Sequence, residues 1–466
     1  MLSVKKFTES LRLPARASLC YVFISVVTKA MGFLITPIFT RTLSEEEYGA
    51  FTLYISVLGA ISILVSAITG GSTVYVGLGK FGKNVGDYYR SLICCAFSFS
   101  TAICILLFAF SPILKLNFIF CLLIFLQISF DSISGIYLSA LRFSYVYKRV
   151  AAICIFEAVA SPLIAIGLMS FGVNGAFSRI LSLLTVSAVT AAYSLSQLLK
   201  KGGGVRPKMM KYTFRESLPH LPHTASSAVT GEADKFVITG ALGAVALAKY
   251  SVVHSVSAGL TFVVSALGSA LTPWVLRHSG KGDGKRVSEV LALVFRILGM
   301  LTLFLLAIIP EAVKFLAPPE YSEAIGAAFP IALSTLPSFL TSISTVGITH
   351  SEKSRYTVII SVTAAILNIL LNFMLIPIFG YLGAGLALLL SQSAGATLAL
   401  FYLRKCGKSY FSDTRELAAT LSVTLFFGIL ISLCKDAPAL RPLLLTVPAI
   451  ITLNSLFVVK KYVMEA

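Results

Sequence analysis

Charged residues are scarce in this 466-residue sequence: Asp, Glu, Lys and Arg make up 12% of it, against 57% apolar residues. The mean hydropathy of +0.89 is well above the range of soluble globular domains. This composition excludes a soluble protein, because no stretch long enough for a soluble domain remains between the apolar segments. It indicates a polytopic membrane protein.

Several chemical signatures are also missing. The P-loop pattern GxxxxGK[ST] does not occur, so the chain is not expected to hydrolyse ATP. None of the eight cysteines has metal-ligand spacing or an extracytoplasmic partner for a disulfide, and the five histidines form no metal pattern. We therefore expect no metal site, no disulfide and no cofactor other than a coupling H⁺ or Na⁺.

The sequence is instead a series of apolar segments near 20 residues long, enough to cross about 30 Å of hydrocarbon at 1.5 Å per residue. The first segment has no small-residue cleavage pattern and is interpreted as a span, not a signal peptide. We predict an all-α polytopic membrane protein with about fourteen transmembrane helices, at 17–38, 49–70, 91–112, 117–139, 150–171, 174–197, 217–241, 249–273, 288–313, 324–348, 356–377, 381–403, 417–434 and 442–459.

The basic residues alternate from loop to loop. Twenty-eight of the 38 Lys and Arg residues lie in one set of loops and termini, and six lie in the opposite set. The positive-inside rule therefore predicts that both termini are cytoplasmic. The concentration of basic residues in these loops, where they attract anionic lipid, also accounts for the net charge of +18. The charge therefore gives no support to nucleic-acid binding.

The predicted outer loops are short: the longest gaps between spans, around 40–48 and 318–323, have about ten residues, and the loop at 111–116 has only a few. A membrane enzyme of glycan assembly that acts outside the cell needs a water-filled site with carboxylates or bases, commonly supplied by a long loop. The short loops argue against such an enzyme.

Landmarks of the first half return in the second half. Residues 171–176, FGVNGA, recur as 379–384, FGYLGA, an offset of 208, and Tyr48 recurs as Tyr250, an offset of 202. Because six spans precede the long inner loop, the two halves are expected to be parallel repeats. We predict a cytoplasmic segment 1–16, an N-lobe 17–199, a cytoplasmic linker 200–216, a C-lobe 217–405, and two added helices within 406–466.

Three motifs carry a resemblance to a known family. Residues 36–49, TPIFTRTLSEEEYG, resemble the opening signature of the polysaccharide (Wzx-type, O-antigen/oligosaccharide) flippases of the multidrug/oligosaccharidyl-lipid/polysaccharide exporter superfamily. A second match runs from 218–223, LPHLPH, through Asp234-Lys235-Phe236 to Lys249-Tyr250-Ser251. The repeated Phe-Gly-x-x-Gly-Ala turn is the third, and the resemblance covers about residues 15–405.

This resemblance implies a two-lobe bundle with a central cavity that moves undecaprenyl-diphosphate-linked oligosaccharide from the inner to the outer leaflet by alternating access. It implies a multi-pass protein of the bacterial cytoplasmic membrane whose partners are the lipid-linked substrate, membrane lipids, a polysaccharide polymerase and glycosyltransferases, with no nucleic acid. Lys235 stands where Arg is more usual in the family, and Lys cannot form the bidentate fork to phosphate. The two extra C-terminal spans resemble the lipid II flippase branch and some longer polysaccharide exporters.

Four cations lie in the predicted spans: Lys29, Arg179, Lys235 and Arg296. Ionisable groups in hydrocarbon usually face a partner or an aqueous cavity. We hypothesise that these four line a cationic lumen for the diphosphate or an acidic sugar. The alternative is pairing within a lobe, of Lys235 with Asp234 or Glu232, and of Arg179 with Glu157.

The buried carboxylates offer a coupling site for H⁺ or Na⁺ at Glu157, Glu232 or Asp234, with structural pairing as the alternative. Glu232 and Asp234 lie about 200° apart on a helix and cannot share one face. Asp131 and Gln127, one turn apart, either line the cavity or pack between helices.

Two kinds of residue inside spans suggest structural roles. Pro162 and Pro337 each remove a helix hydrogen bond, so both are candidate bends for gating. Asn368 and Asn372, four residues apart, are expected to hydrogen-bond across helices.

Two rival functions remain, a non-transporting membrane component of glycan assembly and a cation-coupled drug or metabolite exporter of the same superfamily. Such an exporter needs an acid-dominated, aromatic-lined site, whereas the cations in these spans at least match the acids.

Overall fold

The computed structural model describes residues 2–114, 117–279, 284–408, 410–411, 414–434 and 437–464. Within these residues the chain forms α-helices, short 3₁₀ helices and loops, with no β-strand, which confirms the all-α class. The predicted outer loop at 111–116 lies partly outside the described residues.

The helices of the first part of the chain are α1 Leu2–Thr42, α2 Glu45–Thr69, α3 Gly71–Phe81, α4 Val85–Leu114, α5 Phe118–Phe143, α6 Tyr147–Ser170, α7 Gly175–Leu199, α8 Pro207–Ser217 and α9 Leu221–Leu242. Those of the second part are α10 Ala244–Ser257, α11 Leu260–Ser279, α12 Gly284–Leu316, α13 Ala328–Leu333, α14 Thr335–His350, α15 Ser354–Phe379, α16 Tyr381–Lys405, α17 Thr414–Leu433 and α18 Leu440–Met464. Each of the fourteen predicted spans falls on one or more of these helices.

Within the described part of the chain, eleven helical segments are long and apolar enough to cross a membrane. Predicted span two and most of predicted span three lie in one of them, Glu45–Ala109. The segment on α9 is not among the eleven; α9 carries Glu232, Asp234 and Lys235. In α18, which runs from Leu440 to Met464, the described apolar stretch is Leu440–Thr452. The chain is a multi-pass membrane protein, and the count of fourteen stays a prediction.

Two predicted spans are wrong in being drawn as single helices. The span at 249–273 is divided between α10 and α11 at Ala258 and Gly259. The span at 324–348 contains the end of a 3₁₀ helix, Pro319–Ala327, followed by α13 and α14, which are separated at Ser334. Pro337 has no N–H to donate to the carbonyl of residue 333, so the helix loses a bond beside this break.

Helix α15 has its apolar side chains exposed and its polar side chains buried, as a lipid-facing helix does. Residues at a spacing of four expose large apolar side chains: Ile366, Leu370, Met374 and Ile378, between 54% and 71% exposed. The opposite side holds Asn368 and Asn372, which are buried. Asn372 Nδ2 donates to Asn368 Oδ1 at 3.0 Å, and Asn368 Nδ2 donates to Ser391 Oγ on α16 at 3.1 Å. The predicted hydrogen bonding across helices is confirmed, as expected where lipid supplies no apolar driving force between helices.

The chain divides into two compact units, Met1–Ala228 and Val229–Ala466. The division falls inside α9, so the linker 200–216 groups with the first unit. Each unit has its own apolar core. The first includes Tyr88, Leu92 and Ile136, and the second includes Phe295 and Phe339, each of these at most 1% exposed.

The linker is folded onto the first unit. Asp87, in the first turn of α4, accepts hydrogen bonds from the Gly204 backbone N–H at 2.6 Å and from Arg206 Nε at 2.6 Å. The Arg206 N–H also donates to Ser91 Oγ at 2.8 Å. Gly203 has φ +94°, and a Cβ there would lie 2.5 Å from Asp87. A larger residue would therefore both strain the backbone and push the linker off α4.

Helix α8 continues this contact because it is amphipathic. Met209, Thr213 and Ser217, spaced four residues apart, are buried, and Met209 belongs to the core of the first unit. Lys208, Lys211 and Arg215 are exposed on other faces of the helix. The segment that the sequence predicts only as a cytoplasmic linker thus contains a helix that packs against α4.

Candidate functional site

The first family motif and the repeated turn meet in the first unit. Ser44 caps α2: its Oγ accepts from the Glu47 N–H at 3.2 Å, and Glu47 Oε2 accepts from the Ser44 N–H at 3.0 Å. The other oxygen, Glu47 Oε1, accepts from Asn174 Nδ2 at 2.7 Å and from the Gly175 N–H at 3.0 Å. Glu47 thereby joins the start of α2 to the start of α7.

The contact between Glu47 and the Gly175 N–H requires glycine at position 175. A Cβ on Gly175 would lie 2.8 Å from Leu43 Cγ and 3.4 Å from Glu47 Oε1. Leu43, Glu47, Asn174 and Gly175 all belong to the two motifs, so both describe one structural junction that positions α7. That helix carries the predicted cation Arg179.

Arg179 lies among aromatic rings. Its guanidinium carbon is 4.1 Å from the centroid of Phe39 on α1 and 4.7 Å from that of Phe51 on α2, which is the geometry of a cation–π contact. Two of its nitrogens, Nε and Nη1, are buried without a hydrogen-bond partner in the described structure. The alternative pairing with Glu157 is absent from the ion pairs of the described residues, so Arg179 keeps donors for an anion.

Lys29, the other predicted cation of this unit, lies on α1 with an exposed side chain. The structure does not place it beside Arg179 in any described contact. The expectation that both contact one ligand stays a prediction.

A carboxylate cluster occupies the interior of the first unit, where α5, α6 and α7 pack. Asp131 Oδ1 accepts from Ser187 Oγ at 2.7 Å and from Gln127 Nε2 at 3.2 Å. Gln127 Nε2 also donates to Ser187 Oγ at 2.6 Å. Asp131 and Gln127 therefore pack between helices, one of the two roles that their spacing left open.

Glu157 belongs to the same cluster. Its neighbours are Thr190 on α7 and the carboxylate of Asp131. No ion pair joins Glu157 or Asp131 to a Lys or Arg side chain among the described residues. Nearby polar atoms lack partners as well: the Tyr54 hydroxyl and Gln127 Oε1 are buried without a hydrogen bond in the described structure. In the described part of the chain, two acids, hydroxyls and an amide thus converge without a paired cation.

Ser187, Thr190 and Tyr54 were not predicted from the sequence. Ser187 and Thr190 lie three residues apart on α7, so they share a face, but Ser and Thr are frequent along this helix. Which of them meet an acid depends on the rotation of α7 against α5 and α6.

In the second unit, the acids of α9 point to different partners, as their spacing predicts. Glu232 Oε2 pairs with Lys235 Nζ at 2.7 Å, which is the alternative to substrate contact that the sequence left open for Lys235. Asp234 accepts a hydrogen bond from the Tyr250 hydroxyl, and His254 Nε2 lies 3.8 Å from the same oxygen. Tyr250, the residue that repeats Tyr48, is completely buried.

Arg296 faces the two helices that follow the duplicated part of the chain. Its Nη2 pairs with Glu416 Oε1 on α17 at 3.0 Å. Beside this pair lies a cavity of about 420 Å³ between α12, α17 and α18, whose polar lining includes Arg296, Arg415, Glu416, Thr420 and Thr452. Whether Arg296 also contacts substrate stays a prediction.

The two candidate hinges differ. Pro162 is buried inside α6, which is continuous from Tyr147 to Ser170. Pro337 is buried in the first turn of α14, next to the break at Ser334. There the Ser334 and Thr335 hydroxyls donate to the carbonyls of Ile331 and Ala332, both at 2.6 Å. The helix is therefore interrupted beside Pro337, and its role as a bend for gating stays a prediction.

Comparison with known proteins decides the family. Residues 15–279, more than half of the chain, match the family model described as polysaccharide biosynthesis protein. The chain belongs to this family. Residues 226–374 also match the MatE family model. Together with the fold, these matches place the chain in the multidrug/oligosaccharidyl-lipid/polysaccharide exporter superfamily, as the motifs implied.

Solved structures share the fold of this polysaccharide biosynthesis protein at low sequence identity. The lipid II flippase MurJ in an inward closed conformation has a TM-score of 0.68 and 14% identity, covering 96% of this chain and 100% of that one. An inward-facing multidrug resistance MATE family transporter of the MOP superfamily has a TM-score of 0.63 and 13% identity, covering 81% and 94%. A MOP superfamily transporter from Pyrococcus furiosus has a TM-score of 0.53 and 12% identity, covering 85% and 96%. No curated protein sequence matches the chain.

These relatives establish a membrane transporter or flippase of this superfamily. The family and its structural neighbours are transporters and not enzymes, in agreement with the short outer loops. A multi-pass location fits the apolar helices, and the bacterial inner membrane fits the family.

Proposed function

We propose that the protein translocates undecaprenyl-diphosphate-linked oligosaccharide from the inner to the outer leaflet by alternating access, for cell-surface polysaccharide biosynthesis. The family match over residues 15–279 supports a role in polysaccharide biosynthesis. The likeness of the fold to a lipid II flippase supports a lipid-linked substrate.

The observation that carries this proposal is the environment of Arg179. A lipid-linked glycan carries a diphosphate whose hydration must be replaced during crossing. Arg179 Nε and Nη1 are buried without partners in the described structure, and the two rings beside the guanidinium hold it in place. Unpaired guanidinium donors fit phosphate oxygens, which accept two parallel hydrogen bonds from Arg.

The other three predicted cations differ in how readily they could contact substrate. Lys29 is exposed on α1 and is proposed as a second contact. Lys235 and Arg296 are ion-paired with Glu232 and Glu416, so either would have to leave its carboxylate to bind substrate. We therefore propose Arg179 as the principal substrate contact.

For coupling to H⁺ or Na⁺ we propose Glu157 together with Asp131. Their cluster has two carboxylates and no paired cation among the described residues, so a proton or a sodium ion would neutralise it. Glu232 already has Lys235 as its counter-ion, and Asp234 accepts from Tyr250. Both are therefore proposed as structural.

The test is deletion of the gene followed by complementation. Deletion should cause undecaprenyl-diphosphate glycan to accumulate on the cytoplasmic face, and the wild-type gene should reverse this. Arg179→Gln should leave the intermediate accumulated, Arg179→Lys should restore export in part, and Lys83→Gln, which removes an exposed charge from a predicted cytoplasmic loop, should restore it fully. Protein abundance in the membrane is the control. Absence of the accumulated intermediate after deletion would show that the flippase proposal is wrong.

A cation-coupled drug or metabolite exporter is the second candidate, and the acidic cluster with Tyr54 is the observation that favours it. Under this function, deletion would sensitise cells to toxic cations and leave lipid-linked intermediates unchanged. Glu157→Gln would abolish resistance, whereas Arg179→Gln would not. The two variants thus separate the two functions.

A further inference from the structure

A second polar cavity, of about 330 Å³, lies at one end of the first unit among α4, α5, α6 and α7. The residues that determine its chemistry are Tyr89, Tyr137, Arg149, Gln197, Lys200 and Lys201. None of them is used in the proposed transport cycle. The volume is at the lower end of small-ligand sites and suits a compact polar group better than a glycan.

The charge of this cavity has one sign. Arg149, Lys200 and Lys201 line it with exposed side chains, and no carboxylate is among its described lining residues. Arg149 lies in the first turn of α6, and Lys200 directly follows α7. Three cations without an acid among the lining residues favour an anionic ligand.

The floor of the cavity supplies a buried donor. Tyr137 is 6% exposed, and its hydroxyl has no hydrogen bond of ordinary geometry within the described structure. Its neighbours are Arg149, which lines the same cavity, and Tyr193, whose ring centroid is 6.0 Å from that of Tyr137. Buried polar atoms without a partner are uncommon and call for an explanation. A ligand oxygen in the cavity would satisfy the Tyr137 hydroxyl.

The position of the cavity identifies the source of the anion. Arg149, Lys200 and Lys201 belong to the loops that the distribution of basic residues assigns to the cytoplasmic side. Basic pockets between transmembrane helices on this side lie at the depth of lipid head groups. A phosphate there is held by a lipid at high local concentration, whereas free phosphate must come from bulk water.

We propose that this cavity binds the phosphate of an anionic phospholipid head group from the inner leaflet. Arg149 forks onto the phosphate oxygens, Tyr137 donates from the floor, and Lys200 and Lys201 neutralise the remaining charge at the rim. The site is separate from the proposed substrate contacts and does not depend on the transported molecule.

The experiment uses the purified full-length protein in neutral detergent with dihexanoyl phosphatidylglycerol as the probe, and measures binding by calorimetry. The double variant Arg149→Gln/Lys200→Gln should weaken binding by roughly tenfold or more, since a charge-assisted hydrogen bond contributes about one decade of affinity. Tyr137→Phe keeps the ring and should weaken binding about three- to tenfold. The matched control Lys83→Gln/Lys353→Gln removes two exposed charges from other predicted cytoplasmic loops and should bind as the wild type does.

Two further arms distinguish the sources of phosphate. Dihexanoyl phosphatidylcholine, which has the same phosphate but no net charge, should bind more weakly than the glycerol lipid. Inorganic phosphate at equal concentration should not compete. Competition by inorganic phosphate would overturn the lipid assignment, and equal binding by wild type and Arg149→Gln/Lys200→Gln would overturn the site. Tyr137→Phe keeps the test valid if the double variant does not fold.

Discussion

Glu47 Oε1 accepts a hydrogen bond from Asn174 Nδ2 across 127 residues of sequence, at 2.7 Å. The acidic turn before Tyr48 and the Phe-Gly-x-x-Gly-Ala turn are therefore parts of one junction. The duplication places Lys249 where the first unit has Glu47, and Lys249 pairs with Glu323 at 3.0 Å. Glu47 in the first unit and Lys249 in the second each bind a distant segment of their own unit, although the two residues differ in charge and in partner.

Loss of the Glu47 carboxylate should destabilise the first unit. Glu47→Ala removes the capping box and the acceptor for Asn174 and Gly175, which should lower the free energy of unfolding by about 1–2 kcal/mol. Thermal unfolding of the purified protein measures this. Glu46→Ala removes a neighbouring exposed charge and should have little effect, so equal losses in the two variants would contradict the role of the junction.

The linker should come loose when Asp87 is replaced. Asp87→Ala removes the acceptor for the Gly204 N–H and for Arg206 Nε, so cleavage by trypsin after Lys201 or Lys208 should accelerate roughly tenfold. Limited proteolysis followed by mass spectrometry gives the rate. Glu216→Ala, at an exposed acid of the same linker, is the control. An unchanged rate in Asp87→Ala would show that these bonds do not hold the linker.

Arg441 and Glu311 should respond unequally to replacement. Arg441 is 2% exposed and makes a bidentate contact with Glu311, which is 50% exposed; the contact joins α18 to α12. Glu311→Met leaves a buried guanidinium unpaired, at a cost of about 3–5 kcal/mol. Arg441→Met leaves an acid that water can solvate, so its cost should be smaller. Thermal unfolding of both variants tests the order, and a larger loss in Arg441→Met would contradict it.

Neutralising Glu157 should uncouple transport from the ion gradient. In inverted membrane vesicles, Glu157→Gln should remove the dependence of transport on an imposed proton or sodium gradient, because an amide cannot exchange charge with a bound cation. Asp131→Asn should have a similar effect. Glu46→Gln, at an exposed acid of a predicted outer loop, is the control. Gradient-dependent transport that persists in Glu157→Gln would exclude this acid as the coupling site.

Much of the first-order architecture could be predicted from the sequence. Apolar runs near 20 residues correctly located helices, because crossing hydrocarbon requires every backbone group to bond within its own segment. The errors occurred where one run holds two helices. At Pro337 the proline was recognised as a bend, but the break at Ser334 was not placed, because the carbonyl and hydroxyl bonds beside it form only in the folded chain.

The site was harder to predict. The spacing of Glu232 and Asp234 correctly indicated separate partners, since 200° of helix rotation follows from two residues. The environment of Arg179 was not foreseen: Phe39 and Phe51 lie on α1 and α2, far from it in sequence. Pairing with Glu157 was chemically reasonable, yet α7 turns Arg179 toward the rings and Thr190 toward Glu157.

By itself the sequence determined the membrane class, the helical segments, the internal repeat and the family motifs, because hydropathy, chain spacing and local capping depend on neighbouring residues. Only the tertiary structure decided which ionisable groups are paired. Arg296 meets Glu416 and Lys235 meets Glu232, whereas Arg179 lies between rings with two nitrogens unbonded in the described structure. These pairings depend on the rotation and packing of helices against one another, which cannot be deduced from the sequence alone.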